Sequence, residues 1–199
     1  MRRRLAWTRN PLRGDRLQWH ALGMQKGRPT LDGIWEELTA RDPCLYAGHY
    51  GRAQVLCEKW YGSHGELLAF ARQTVAEATP GDAITAILPL AHLEIAWSRH
   101  TDSSRPAREV LEAHFKDSYA IGKLIEAADK WRAEPRPHPR AYEAMHLFGA
   151  TFYYSGHLNR ARSLLEGTGN RVPEILPWSA ASLTPGRHYK RVRRDLGIA

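Results

Sequence analysis

The chain has 199 residues, of which 43% are hydrophobic and 25% charged, and its formal net charge is +8 at pH 7. This length suits one compact domain, and no apolar stretch approaches the ~20 residues of a membrane-spanning helix. The two cysteines, Cys44 and Cys57, are too few for a disulfide scaffold and lack zinc-site spacing. Basic residues 1–4 are not followed by the apolar core of a secretion signal, so a cytoplasmic location is expected.

The positive charge is concentrated at the two ends of the sequence. Residues 1–28 carry a net +7 and residues 187–199 a net +4, which leaves −3 for the residues between them. Such a pattern is typical of basic arms, which are either solvated termini or contacts to the phosphates of a nucleic acid. The candidate nucleic-acid contacts are Arg2, Arg3, Arg4, Arg191, Arg193 and Arg194.

This charge distribution predicts three regions. Residues 1–28 form a basic N-terminal arm that is partly disordered or packed on the body. Residues 29–182 form a helical domain, and residues 183–199 form a basic C-terminal tail.

Apolar residues recur at helical spacing from Leu31 to Glu166, and no alternating run of β-branched residues predicts a strand. The predicted fold class is therefore all-α. The helices expected in chain order cover residues 31–40, 43–60, 65–78, 83–99, 107–115 and 121–131. Ser63 and Glu66 have the spacing of a capping box, and Pro89 predicts a kink or a later helix start.

Residues 142–175 carry the most informative spacing. Four positions of a first helix carry, in order, a large, a large, a small and an aromatic side chain. A glycine follows at the turn. A second helix then carries a small and a large side chain, and a proline ends the segment. These positions are Met145, Phe148, Gly149, Phe152, Gly156, Ala161, Leu165 and Pro173. The segment resembles a tetratricopeptide repeat. That resemblance implies two antiparallel helices in close approach at Gly149 and Ala161, within a short right-handed stack of helical hairpins.

The earlier helices are expected to supply the rest of the stack, with 43–60 pairing with 65–78 and 83–99 with 107–115. Another all-α bundle is the alternative. The residues Asp42-Pro43, Lys59 to Ser63 and Phe70-Ala71 also look like a motif of uncharacterised bacterial repeat-like domains, which implies no activity.

The repeat resemblance also implies a binding surface. The positions that line the concave face in such proteins fall on Glu143, His146, Ala150, Tyr153 and Tyr154. The Lys and Asn pair that clamps a peptide carboxylate in some members is replaced by His146 and Ala150. We therefore expect a non-catalytic module that binds a partner protein or peptide through Glu143, His146, Tyr153 and Tyr154. The alternative is that the two tyrosines pack against a following helix or against residues 172–182.

No HExxH, glycine-rich phosphate loop or nucleophile elbow occurs, so no catalytic residue is predicted. Four potential metal ligands would converge only if the helix over 43–60 bent strongly; they are Cys44, His49, Cys57 and His64. No metal or cofactor is predicted.

Two histidines lie two residues from a glutamate, as in His92 with Glu94 and Glu112 with His114. That spacing separates the partners on a helix, which argues against acid–base work within either pair. An enzyme or pathway accessory with a pocket between helix pairs is the third functional alternative.

Overall fold

A computed structural model of the chain describes residues 11–134, 136–173 and 176–198, with the backbone alone for residues 11–15. These ranges contain α-helices and short 3₁₀ helices without a strand, which confirms the predicted fold class. The α-helices are α1 Pro11–Gly23, α2 Arg28–Thr39, α3 Tyr46–Val55, α4 His64–Glu77, α5 Ile87–Thr101, α6 Ala107–His114, α7 Ser118–Ala133, α8 Ala141–Tyr154, α9 Leu158–Leu165 and α10 Pro185–Asp195. The 3₁₀ helices are Ala83–Ala86, Glu166–Thr168 and Trp178–Ala180.

None of the helices in these ranges combines the length and apolar character needed to cross a bilayer. The chain divides into two compact units, Met1–Phe70 and Ala71–Ala199, and the helical domain expected over residues 29–182 stays a prediction. The boundary falls inside the continuous helix α4. Sequence composition does not reveal this division because no Pro-rich or Gly-rich linker marks it.

The first unit contains α1, α2 and α3. Its core is formed by Ala21 and Leu22 of α1, Leu31 and Ile34 of α2, and Val55 of α3. The helix α1 lies within the region predicted as an arm, and the burial of Ala21 and Leu22 shows that this part of the region packs on neighbouring helices. The predicted helix over 43–60 is shorter, since α3 ends at Val55 and Trp60 is 39% exposed.

Local signals at two helix starts are confirmed. The hydroxyl of Ser63 accepts a hydrogen bond from the backbone N–H of Glu66 and donates one to the Glu66 carboxylate, both at 3.2 Å, so Ser63 is the N-cap of α4 and Glu66 lies at the capping-box position. Pro89 lies in the first turn of α5, where its missing N–H removes no helical hydrogen bond. The later helix start expected at this proline is the one observed.

In the second unit, α5 is buried on all sides from Ile87 to Ala96. The helices α8 and α9 form a hairpin whose turn contains Gly156, with φ of 80°. A Cβ atom on Gly149 would lie 2.5 Å from the Leu165 side chain, so glycine is what permits the close approach of α8 and α9. Ala161 is fully buried. This hairpin agrees with the local prediction, whereas a stack of hairpins stays a prediction.

Candidate functional site

The helix α10 forms because its sequence combines a helix-starting proline with an apolar stripe. Pro185 occupies the first helical turn after Thr184. Tyr189, Val192 and Leu196 follow at spacings of three and four residues and are all buried. The region predicted as a basic tail over 183–199 is therefore an amphipathic helix in its central part, and its buried residues lie on one face.

The buried face of α10 completes the end of α9. The last carbonyls of a helix have no partner within the helix itself. The Leu165 carbonyl accepts hydrogen bonds from the Thr168 hydroxyl at 2.8 Å and from the Arg193 guanidinium at 3.0 Å. The Tyr189 hydroxyl lies 3.5 Å from the same carbonyl and 2.5 Å from the Thr168 hydroxyl. Two residues of α10 thus act as a C-terminal cap for α9.

A second contact joins α8 to the segment that precedes α10. The indole Nε1 of Trp178 donates a hydrogen bond to Nδ1 of His146 at 2.9 Å, and both side chains are fully buried. Since Nδ1 is the acceptor, the neutral ring carries its hydrogen on Nε2. Burial, followed by the positive charge of Arg193, lowers the pKa of His146 to about 3, despite an opposing contribution from the backbone of Arg171. His146 is a neutral core residue at physiological pH.

Two tyrosines of α8 also bond to α10. The Tyr153 hydroxyl donates to the Asp195 carboxylate at 2.5 Å, and the Tyr154 hydroxyl lies 2.7 Å from Nε2 of His188. Burial first, and then the bond to Asp195, raise the pKa of Tyr153 to about 12. Burial also raises the pKa of Tyr154 and lowers that of His188. Both phenols therefore stay neutral and serve as structural hydrogen-bonding groups.

The predicted partner-binding residues are thus placed on one helix but not on an open surface. His146, Tyr153 and Tyr154 are at most 7% exposed and contact residues 178–195. Glu143 lies at the start of the same helix, where Arg140 donates to its carboxylate at 3.2 Å. This arrangement agrees with the alternative prediction, in which the two tyrosines pack against a following helix. Partner binding at these residues stays a prediction that requires the C-terminal segment to move away.

The exposed face of α10 has a different composition. Arg187, Lys190, Arg191 and Arg194 are all exposed. Their spacing of i, i+3, i+4 and i+7 places them in one row along the helix. No carboxylate among the described residues lies within ion-pair distance of these four side chains. We call this row the α10 stripe.

The α10 stripe accounts for the net charge of its unit. Residues 71–186 contain thirteen Lys and Arg and thirteen Asp and Glu, whereas residues 187–199 carry a net +4. Many cations elsewhere in the unit pair with acids, as in Arg108 with Glu112 and Arg160 with Asp129. The net positive charge of this unit is therefore carried by residues 187–199.

The structure separates the predicted nucleic-acid residues into three groups. Arg191 and Arg194 belong to the α10 stripe, whereas Arg193 is 5% exposed and donates to the Leu165 carbonyl, so it lies outside that exposed row. Arg2, Arg3 and Arg4 lie outside the described residues. Sequence reasoning missed Arg187 and Lys190, although the helical spacing of all four cations and of Tyr189, Val192 and Leu196 was a signal that could have found them.

Within the described ranges, no group of three or more His, Cys, Asp or Glu side chains could hold a metal ion. Cys57 is buried and its thiol donates to the Ala53 carbonyl at 3.3 Å, while Cys44 is exposed. No family model, curated protein or solved structure matches the chain.

Proposed function

We propose that this protein binds nucleic acid through the α10 stripe. The observation that carries the proposal is a row of four exposed cations on a helix whose opposite face is fixed by packing. None of the four has a carboxylate partner among the described residues. Because the helix is held in place, its cations are oriented before a ligand arrives, which lowers the entropy cost of binding.

The dimensions of the α10 stripe suit a phosphate backbone. Arg187 and Arg194 are seven residues apart, so the row extends over roughly 10 Å along the helix. Phosphates on one strand of duplex DNA advance about 3.4 Å along the axis per nucleotide, so the row spans about three such steps, which join four phosphates. The exposed face offers no aromatic or apolar side chain within the row. This favours backbone contact without sequence readout over insertion into a membrane.

Salt dependence of binding tests this proposal. Four phosphate contacts predict that the affinity of the full chain for duplex DNA falls roughly 100-fold between 50 and 200 mM salt. The double variant Arg191→Gln/Arg194→Gln should bind more weakly and lower the slope of log affinity against log salt by roughly 2. Fluorescence anisotropy with a labelled duplex and a labelled single strand provides the measurement.

The matched control is Arg105→Gln/Arg136→Gln, which removes the same charge at exposed cations that pair with Glu109 and Glu134. We expect this variant to bind as the wild type does. Equal losses in both double variants would contradict a specific role for the α10 stripe. Binding to vesicles of anionic lipid without binding to nucleic acid would identify a membrane surface instead and would also contradict the proposal.

Binding of a protein partner on α8 is the second candidate. The observation that favours it is that this face already holds α10 through hydrogen bonds of Tyr153 and Tyr154, which a partner helix could reproduce. His146 on the same face accepts a hydrogen bond from Trp178 in the segment before α10. Because the partner must displace residues 178–195, its binding should expose Trp178. A partner that binds without a change in Trp178 fluorescence would contradict this candidate.

A further inference from the structure

The helix α1 presents an exposed tryptophan at the surface of the first unit. The side chain of Trp19 is 41% exposed. In contrast, Ala21 and Leu22 of the same helix are buried in the core that α1 shares with α2 and α3. The helix is therefore held by its inner face, and the indole lies on the part of α1 that faces solvent.

The indole of Trp19 is supported by an aromatic ring of a neighbouring helix. The centroid of its ring lies 6.1 Å from that of Tyr50 in α3, and the two ring planes are inclined by 38°. This separation is within the range of aromatic pairs. The indole is thus held against the unit on one side while part of it stays open to solvent. A planar ligand would meet a ring that is already positioned, which lowers the entropy cost of binding.

Two polar side chains share the outer surface of α1 with the indole. Arg16, Trp19 and His20 have the spacing i, i+3 and i+4, which places both Trp19 and His20 beside Arg16 on the helix surface. Arg16 and His20 are both exposed. No carboxylate on a described side chain forms an ion pair with either of them. We call Arg16, Trp19 and His20 the α1 platform.

The charge of the first unit favours a polyanion as the ligand of this surface. Residues 1–28, which include α1, carry a net +7, whereas residues 29–70 contain three Lys and Arg and six Asp and Glu. The positive potential of this unit therefore comes from the part of the sequence that contains the α1 platform. Cations beside an exposed aromatic ring are the combination that binds single-stranded nucleic acid, since the cations attract the backbone and an unpaired base stacks on the ring.

The exposed apolar residues of α1 do not form the continuous face that would favour a membrane surface. Leu17 is also exposed, at 37%, but it lies roughly 160° around the helix from Trp19. The exposed side chains of Arg16 and His20 lie between them. A helix that binds a membrane surface instead buries one broad apolar face. The separation of Leu17 from Trp19 therefore favours nucleic acid over lipid.

We propose that the α1 platform binds single-stranded nucleic acid, with an unpaired base stacked on Trp19 and a neighbouring phosphate bound by Arg16. This inference rests on the proposed function for the class of ligand, but it uses none of the residues of the α10 stripe. It adds a preference for single strands at this surface, because the bases of a duplex are paired and stacked on one another and are not free to stack on the indole.

Binding of the full chain to labelled oligo(dT), measured by fluorescence anisotropy, tests the stacking contact. Trp19→Ala should weaken this binding about tenfold, and Trp19→Phe, which keeps an aromatic ring, should retain most of the affinity. The affinity for a labelled duplex should change by less than about twofold in both variants. Circular dichroism checks that both variants keep the fold. Unchanged binding of oligo(dT) by Trp19→Ala, or an equal loss for oligo(dT) and duplex, would overturn the proposal.

The salt dependence of oligo(dT) binding separates stacking from charge. Trp19→Ala should lower the affinity without changing the slope of log affinity against log salt, because stacking of a base releases no counterion. Arg16→Gln should weaken binding and also lower that slope by about 0.7, the value for one phosphate contact on a single strand. A slope that is unchanged in Arg16→Gln would overturn the proposed phosphate contact.

Trp60→Ala is the matched control, since Trp60 is 39% exposed in the same unit but lies in the turn after α3. It should bind oligo(dT) as the wild type does, and equal losses in Trp60→Ala and Trp19→Ala would overturn the proposal. Trp19→Ala should have the same effect in the background of Arg191→Gln/Arg194→Gln, so failure of the α10 stripe and failure of the α1 platform are distinguishable. Weaker binding of Trp19→Ala to anionic vesicles, with unchanged binding to oligo(dT), would identify a membrane surface instead and would overturn the proposal.

Discussion

Both faces of α10 carry arginine, but the arginine has a different structural setting on each face. Arg193 and Arg194 are neighbours in the sequence, yet Arg193 is buried and caps α9, whereas Arg194 is exposed and forms no ion pair within the described part of the chain. The inner face holds the helix through Tyr189, Val192 and Leu196, and the outer face gathers the cations. The comparison shows that residue type alone does not assign a cation to binding. Its position around the helix decides between a structural and a surface role.

Substitution of Tyr189 on the inner face of α10 should lower the free energy of unfolding much more than substitution of Lys190 on the outer face. Tyr189→Ala removes a fully buried ring and its contacts to Thr168 and Leu165, so we expect the free energy of unfolding to fall by about 3–5 kcal/mol. Lys190→Ala, one residue further along on the outer face, should change it by less than about 0.5 kcal/mol. Chemical denaturation measures both. Equal effects would show that α10 is not held by its inner face.

Acidification should lower the stability of the packing between α8 and the C-terminal segment, because it protonates His146. Its pKa is about 3 in the folded chain, below the ordinary value of 6.5, so the neutral ring contributes stability that is fully present above pH 6.5. That contribution is lost as the pH falls from 6.5 towards 3. We expect the thermal midpoint of the wild type to fall more steeply over this range than that of His146→Phe, which cannot titrate. Some acid sensitivity should persist in the variant, because His92 has a pKa of about 4.

Parallel slopes for the wild type and His146→Phe would mean that His146 is protonated, or exposed, well above pH 3. The slopes are compared rather than the midpoints, since His146→Phe also removes the acceptor for Trp178 and lowers stability at every pH.

Substitution of the neighbouring arginines gives the smallest and sharpest comparison. Arg193→Ala leaves the Leu165 carbonyl with one fewer donor and removes a buried side-chain stem, so we expect a loss of about 1–3 kcal/mol in stability. Arg194→Ala should leave stability within about 0.5 kcal/mol of the wild type and weaken binding of duplex DNA instead. Chemical denaturation measures the stability of both variants, and fluorescence anisotropy measures their binding of duplex DNA. A stability loss in Arg194→Ala, or none in Arg193→Ala, would reverse the assignment of the faces.

Much of the helical framework could be predicted from sequence because local chemistry sets it. The N-cap of α4 at Ser63, the helix start at Pro89 and the turn at Gly156 each depend on residues a few positions apart. The close approach at Gly149 was also predictable, since a small residue in a repeat-like spacing implies it. Such signals are readable without knowledge of the tertiary structure.

The position of α10 and the contact between His92 and His114 depend on long-range contacts, which local sequence patterns do not encode. The dense charge of residues 187–194 favoured interpretation as a tail, although the apolar spacing of Tyr189, Val192 and Leu196 predicts a helix. The position of that helix against α8 rests on bonds across more than thirty residues, such as Tyr153 to Asp195. The link between His92 and His114 was missed because acid–base pairs were sought within one helix, whereas these rings meet across two.

The cap on α9 has a consequence for biosynthesis. The Leu165 carbonyl receives donors from residues 189 and 193, which leave the ribosome later than α9 itself. A nascent chain that has exposed only the α8–α9 hairpin therefore has an open helix end and uncovered aromatic side chains. Native packing of this unit is completed after synthesis of α10, and nascent chains halted before it should be targets for chaperones and proteases.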